Sequence, residues 1–242
     1  VPHPPASRAM VVVNGDDLRH DLLSAAQVFQ QLGTEAGFAT RKAMGTGRFA
    51  DPRPETAEAD VYLLYTAGGQ FAAHQQRALA AAVASGKGLV GVHHANTLRH
   101  RDGELDPADR ALFELLGSRR LPDGGGHEGR HTVEITADHP VTRGVTDFDV
   151  FDEYEEIELA DDAVTVLARG RGPDGATVPV LYVREAGAGR VVYLALGHDM
   201  RSWGEPPVRA LVRQALCWAA HQDVSGGVSG RPTDNSGRTH AS

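Results

Sequence analysis

The sequence is short of several things. It carries one cysteine, Cys217, which excludes an intrachain disulfide, and the surrounding ALVRQALCWAA reads as a buried helical setting with a structural role for the thiol. No apolar run approaches the roughly 18 residues of a membrane span, and no charged segment followed by an apolar one opens the chain as a leader would. Basic residues are outnumbered, 24 against 32 acidic, and the net charge of -8 removes the basic face that nucleic acid or an anionic membrane would favour. A small neutral or cationic ligand suits that balance better. No GxSxG elbow is present and no cysteine stands at a strand-to-helix turn, which argues against nucleophilic catalysis. The Gly-rich pieces TAGGQ and PDGGG read as turns rather than as phosphate-cradling loops, so no nucleotide cofactor is expected.

What is present is an alternation. At 242 residues and 41% apolar, the chain suits one core, with one domain expected over 1–223. AMVVVNG is a short apolar run, and HDLLSAAQVFQQLGTEAG follows with Leu22, Ala26, Phe29 and Leu32 at helical spacing. FATRKAM, ADVYLLYTAGG, FAAHQQRALAAAVASGKG and GLVGVHHA continue the alternation, with Gly86 and Gly88 as stop signals after the second helix. Such a pattern predicts an α/β fold with a mostly parallel sheet covered on both faces. DPADRALFELLGS predicts a helix capped by Asp106. From Leu121 to Ala160 the expectation is a Gly-rich loop, short strands and turns. AVTVLARG, VPVLYVRE and RVVYLALG then predict three strands joined by turns, forming an antiparallel edge, before a last helix in PPVRALVRQALCWAAHQ. Residues 224–242 offer little to bury and are expected to form a disordered tail.

In an open parallel sheet, ligands bind beyond the carboxyl ends of the strands. Four polar groups fall at such ends: Asn14-Gly15-Asp16-Asp17, Thr66-Ala67-Gly68-Gly69, His93-His94 and Gly197-His198-Asp199. Asn14, Asp16, Gly68, Gly69, His94 and Asp199 are candidates for substrate binding. His93 and His198 each follow an apolar strand and are candidate catalytic groups, because imidazole titrates near neutral pH and is also the commonest metal ligand. The irregular middle adds His127 in GGGHEGRH, and Asp152 and Glu153 in the acidic run FDEYEE. Glu153 is the catalytic carboxylate of choice, with Asp152 and His127 as substrate-binding candidates. A divalent metal such as Zn²⁺ or Mn²⁺ would draw on His93, His198 and His127. His139, in DHPVTRG, reads as part of a turn.

GKGLVGVHHA, ADHPVTRGV, FDVFDEYEE, GAGRVVYLALGHDMRSW and ALVRQALCWAA, in that order, resemble the ThuA-like family named for trehalose utilisation. The resemblance implies a flavodoxin-like, class I glutamine amidotransferase-like three-layer sandwich. It places His93 where amidotransferases carry their catalytic cysteine and His198 near their histidine, so thiol-based glutamine hydrolysis is not expected. The family commonly reads Asp-Glu-Leu-Tyr where this chain has FDEYEE, so that Glu155 replaces the aromatic.

Through the family's association with disaccharide catabolism and 3-keto glycosides, the resemblance implies an enzyme of carbohydrate metabolism acting on a sugar, glycoside or 3-keto sugar. Its chemistry would be His and carboxylate acid–base work with or without a metal, and hydrolysis, isomerisation and elimination all stay open. The rival reading is a non-catalytic binding or partner subunit on an amidotransferase-like scaffold. No nucleic-acid or membrane partner is expected, and a homodimer is the preferred assembly. A cytoplasmic location is the expectation, with secretion kept open because the chain begins at Val1 rather than Met.

Overall fold

The alternation read from the sequence folds into a three-layer α/β sandwich in a computed structural model that describes residues 6–16, 18–121, 126–160, 163–172 and 175–222. Asp17 and the expected tail at 224–242 lie outside the described residues. The first half of the chain gives β1 (Arg8–Gly15), α1 (Leu22–Glu35), β2 (Ala39–Met44), the one-turn α2 (Pro54–Ala57), β3 (Val61–Ala67), α3 (Ala73–Ala84) and β4 (Gly88–Val92). A small excursion, β5 (His100–Arg101) and β6 (Glu104–Leu105), precedes α4 (Arg110–Leu116) and β7 (Ser118–Arg120). β8 (His127–Ile135), β9 (Phe148–Tyr154), β10 (Ile157–Leu159), β11 (Thr165–Arg171), β12 (Thr177–Ala186) and β13 (Gly189–Leu194) follow, and α5 (Met200–Trp203) and α6 (Pro206–Ala219) close the fold.

The nine-stranded sheet has the order β2-β1-β3-β4-β13-β12-β11-β8-β9. Pairings from β2 to β13 are parallel, and those from β13 to β9 are antiparallel. The antiparallel part is therefore half the sheet rather than an edge, because the stretch from Leu121 to Ala160 supplies the nine-residue β8 and the seven-residue β9. Both strands mix charged with apolar residues and leave little local apolar signal. β10 pairs with β7 outside the main sheet.

Strands covered on both faces need apolar side chains at every position. Accordingly Val11, Val12 and Val13 on β1, and Leu63 and Leu64 on β3, are fully buried. α1 and α6 pack on one face, with Phe29 and Leu32 of α1 and Leu211, Val212 and Leu216 of α6 turned inward. α3 and α4 cover the other. The Asp21 side chain caps α1 by accepting from Ser24 N at 3.0 Å.

The expected helix over Asp106–Ser118 is split. Asp106 caps a tight 3-10 turn at Pro107–Asp109, α4 begins only at Arg110, and Gly117 ends it in the left-handed region at φ 77°. The break falls at Asp109, whose carboxylate is drawn inward to accept from Gln76 and Arg99. Among the described residues, no helix is long and apolar enough to cross a membrane.

Candidate active site

β4 and β13 are hydrogen-bonded neighbours in parallel register, with Leu194 opposite Val92. The residues just past their ends therefore meet. His93 leaves β4 with φ at +52°, a left-handed conformation uncommon for a non-glycine residue and placed at a strand-to-helix turn. Gly91 lets this turn sit close to its neighbours, since a Cβ there would lie 3.0 Å from Leu116 Cδ2. His198 follows Gly197, whose φ of +122° is open only to glycine. His93 Nε2 and His198 Nδ1 are 3.3 Å apart.

Buried hydroxyls fix both backbones. Tyr193 donates to His93 O at 2.7 Å, Tyr65 donates to His198 O at 3.2 Å, and Thr66 donates to His94 O at 2.8 Å. Tyr193 Oη also lies 2.8 Å from the Asn96 side-chain oxygen. Asn96 Nδ2 donates to Ser118 Oγ at 2.8 Å, which links this network to the buried Tyr182 hydroxyl. Asp152, almost fully buried, accepts from Gly197 N at 2.7 Å and from His198 N and Glu153 N. Burial raises its pKa, against those hydrogen bonds.

Glu153 comes from β9, at the far end of the sheet order. Its Oε2 nonetheless lies 3.3 Å from His198 Nδ1, 3.4 Å from His94 Nε2 and 3.5 Å from His93 Nε2. The β8–β9 hairpin thus curls back over the carboxyl ends of β4 and β13, where β9 packs on α5. The nearby His198 and then His94 hold the Glu153 carboxyl far below the usual range, against burial. Glu153 in turn raises the pKa of His198. Burial, and then the charge of His94, push His93 well below the ordinary value. His93 Nδ1 faces Ala195 O at 3.1 Å and must donate to it, so neutral His93 offers a lone pair at Nε2.

A fourth group completes the cluster. His20, buried in the loop between β1 and α1, places Nε2 3.1 Å from His93 Nε2. The ligating atoms of His20, His93, Glu153 and His198 all lie within 4.8 Å of one another. Two imidazole nitrogens converge on the single lone pair of His93, and Glu153 Oε2 is buried with no aligned hydrogen bond. Such crowding is unfavourable without a cation and natural around one. Tetrahedral ligands with bonds of about 2.0–2.1 Å lie about 3.3 Å apart, and the His20–His93, His93–His198, His198–Glu153 and His93–Glu153 edges of this cluster run from 3.1 to 3.5 Å.

A second convergence, of His93, His94, Glu153 and Glu155, is already neutralised. His94 Nε2 lies 2.6 Å from Glu155 Oε1, and Arg120 Nε is 2.8 Å from the same oxygen in an ion pair without hydrogen-bond alignment. Burial opposes the charged form of His94, but the nearby carboxylates of Glu153 and Glu155 prevail and raise its pKa to about 9. The His94 and His93 rings are stacked, with centroids 4.0 Å apart.

The other sequence candidates sit elsewhere. Asn14 and Asp16 brace the loop at Gly68 and Gly69: Asn14 Nδ2 donates to Gly68 O and Gln70 O, and Asp16 Oδ1 accepts from Gly69 N at 2.8 Å. Asp199 caps α5 and pairs with Arg201, which also holds Glu128. His127 is exposed on β8 opposite Tyr154 and joins neither histidine cluster, so His20 stands where His127 was expected. His127 to His131 also spells His-Glu-x-x-His, a zinc pattern when a helix sets both histidines on one face. On a strand those histidines are about 13 Å apart and cannot share an ion. His139 holds a turn, as read: its Nδ1 accepts from Val141 N.

A family model described as ThuA, trehalose utilisation, matches residues 8–219. No curated protein matches the sequence. Among solved structures, a protein of Parabacteroides merdae described as thuA-like is similar at a TM-score of 0.73 and 15% identity, over 94% of this chain and 95% of that one. One of Bacteroides uniformis with the same description gives 0.70 and 16%, over 92% and 96%. A glutamine amidotransferase of Thermotoga maritima gives 0.55 and 12%, over 88% and 99%, which shows a shared fold.

Proposed function

Because the chain belongs to the ThuA family of trehalose utilisation, we propose that it is an enzyme of carbohydrate metabolism acting on a sugar, glycoside or 3-keto sugar by histidine and carboxylate acid–base chemistry. The observation that carries this reading is the convergence of His20 Nε2, His93 Nε2, His198 Nδ1 and Glu153 Oε2 at the carboxyl ends of β4 and β13. We further propose that these four residues hold a divalent cation, Zn²⁺ or Mn²⁺. Such an ion, held there, would supply Lewis-acid polarisation of a carbonyl or hydroxyl oxygen of the substrate.

The chain's own groups divide the remaining work by depth. His93 is fully buried, and its Nδ1 bond to Ala195 O fixes its tautomer, so it serves as the floor of the site. His198 and Glu153 keep 14% and 12% of their side-chain surface exposed, enough to meet a substrate entering from the crevice. The close ion pair with Glu155 favours the protonated form of His94, which lies against Glu153 and orients it. Asp152 holds the His198 backbone and positions that ring.

The test is turnover of trehalose and of its 3-keto derivative by metal-supplemented protein, with products separated by chromatography. His198→Ala and Glu153→Gln should each lower turnover by about a hundredfold or more. Turnover undiminished in both variants would overturn the reading.

A further inference from the structure

At the sheet edge away from the antiparallel half, this acidic chain carries a basic hollow. A cavity of 450 Å³ is lined by Met10, Arg41, Lys42, Arg48, Arg53 and Glu55. Arg41 and Lys42 come from β2, Arg48 from the tight turn at Thr46–Phe49, and Arg53 and Glu55 from the start of α2. Three guanidinium groups, of Arg41, Arg48 and Arg53, thus gather beside one carboxylate in a protein of net charge -8, while Lys42, next to Arg41 on β2, turns to the opposite face and meets Gln27 of α1. Elsewhere acidic residues take up arginines: Arg8 pairs with Glu58, Arg110 with Glu114, Arg119 with Glu158, Arg171 with Glu134 and Arg209 with Glu35. The guanidinium groups of Arg41, Arg48 and Arg53 have no ion pair or hydrogen bond among the described residues. Arg48 Nε is moreover buried without an acceptor, a cost that a bound oxyanion would remove.

We propose that this pocket binds a phosphate-bearing small molecule. Planar guanidinium forks match phosphoryl oxygens two at a time, and several around one hollow select a doubly charged anion over chloride. Glu55 repels an anion but accepts from a hydroxyl, so the pocket suits a phosphomonoester of a sugar or polyol with its hydroxyls toward α2. The volume is that of a metabolite site. β2 lies three strands from β4, about 14 Å across the sheet, so this is a second site, independent of the histidine cluster.

Isothermal titration calorimetry of the full chain with inorganic phosphate and with glucose 6-phosphate, at constant ionic strength set by chloride, tests the proposal. Both should bind saturably, and glucose 6-phosphate more tightly if the hydroxyls reach Glu55. Arg48→Ala should raise the dissociation constant roughly tenfold or more. Arg48→Lys, which keeps the charge and guards against a folding defect, should weaken binding less, and Arg41→Ala with Arg53→Ala should abolish it. No saturable binding of either compound to the unaltered protein, or equal constants in the arginine variants, would overturn the proposal.

Discussion

Replacing Tyr193 by Phe removes one oxygen from a fully buried ring and tests whether the His93 turn is held by its carbonyl. In the native protein the Tyr193 hydroxyl is the buried donor to His93 O at 2.7 Å, and it bridges to Asn96. The variant strands a buried carbonyl and one hydrogen-bonding arm of Asn96. Leaving such a group unsatisfied costs about 1–3 kcal/mol. For a chain of this size that corresponds to a fall in Tm of roughly 2 to 12 °C.

The site should respond as well. His93 holds φ at +52° at that turn, and release of its carbonyl lets Nε2 drift from His20 and His198. Metal affinity should fall about tenfold or more, as for other outer contacts of a metal ligand. Tyr62→Phe is the control: its buried hydroxyl donates to Thr56 O at 3.0 Å, with no link to the network around His93. It should lose comparable stability and keep its metal affinity. Thermal melts and competitive zinc titration of both variants supply the answer. Equal metal affinity in the two variants would refute the claim that Tyr193 positions His93.

Two further outcomes follow from local geometry and charge. Gly197→Ala forces a Cβ to 3.1 Å from Val92 Cγ1 at a φ of +122°, so it should cost about 1–3 kcal/mol and displace His198; an unchanged Tm would contradict this. At Asp109, burial raises the carboxyl pKa, but Arg99 and Gln76 outweigh it and the net shift is downward. A depressed folded pKa stabilises above the unfolded value of about 3.9 and is lost as pH falls through the folded one. The stability deficit of Asp109→Asn in urea melts should therefore be constant near neutrality and shrink in acid; a deficit that grows in acid would reverse the sign.

The parallel half of the fold was legible because its signals are local. Leu22, Ala26, Phe29 and Leu32 recur at helical spacing, and Val11 to Val13 form an unbroken buried run. The same logic located His93 and His198, each of which ends such a run. β8 and β9 were not legible as long strands, since their faces carry Glu134, Asp149 and Asp152 among the apolar residues. Glu153 could be named from its acidic run, but only the curl of that hairpin brings it to the imidazoles.

His20 was missed because it sits in GDDLRHD, a loop with no apolar strand immediately before it. The available signal was its position past β1, at the same sheet end as the other candidates. Glu155 stood in the acidic run, but its ion pair with Arg120 gave no cue in the chain, since it depends on β7 meeting β10.

The central claim, a cation held by His20, His93, His198 and Glu153, is tested most directly by elemental analysis of untagged protein purified after growth with added Zn²⁺ and Mn²⁺. The account predicts one ion per chain, lost on His93→Ala, diminished on His20→Ala, and retained on His127→Ala and His139→Ala. A chain without metal under those conditions, or an ion that survives His93→Ala, would contradict it.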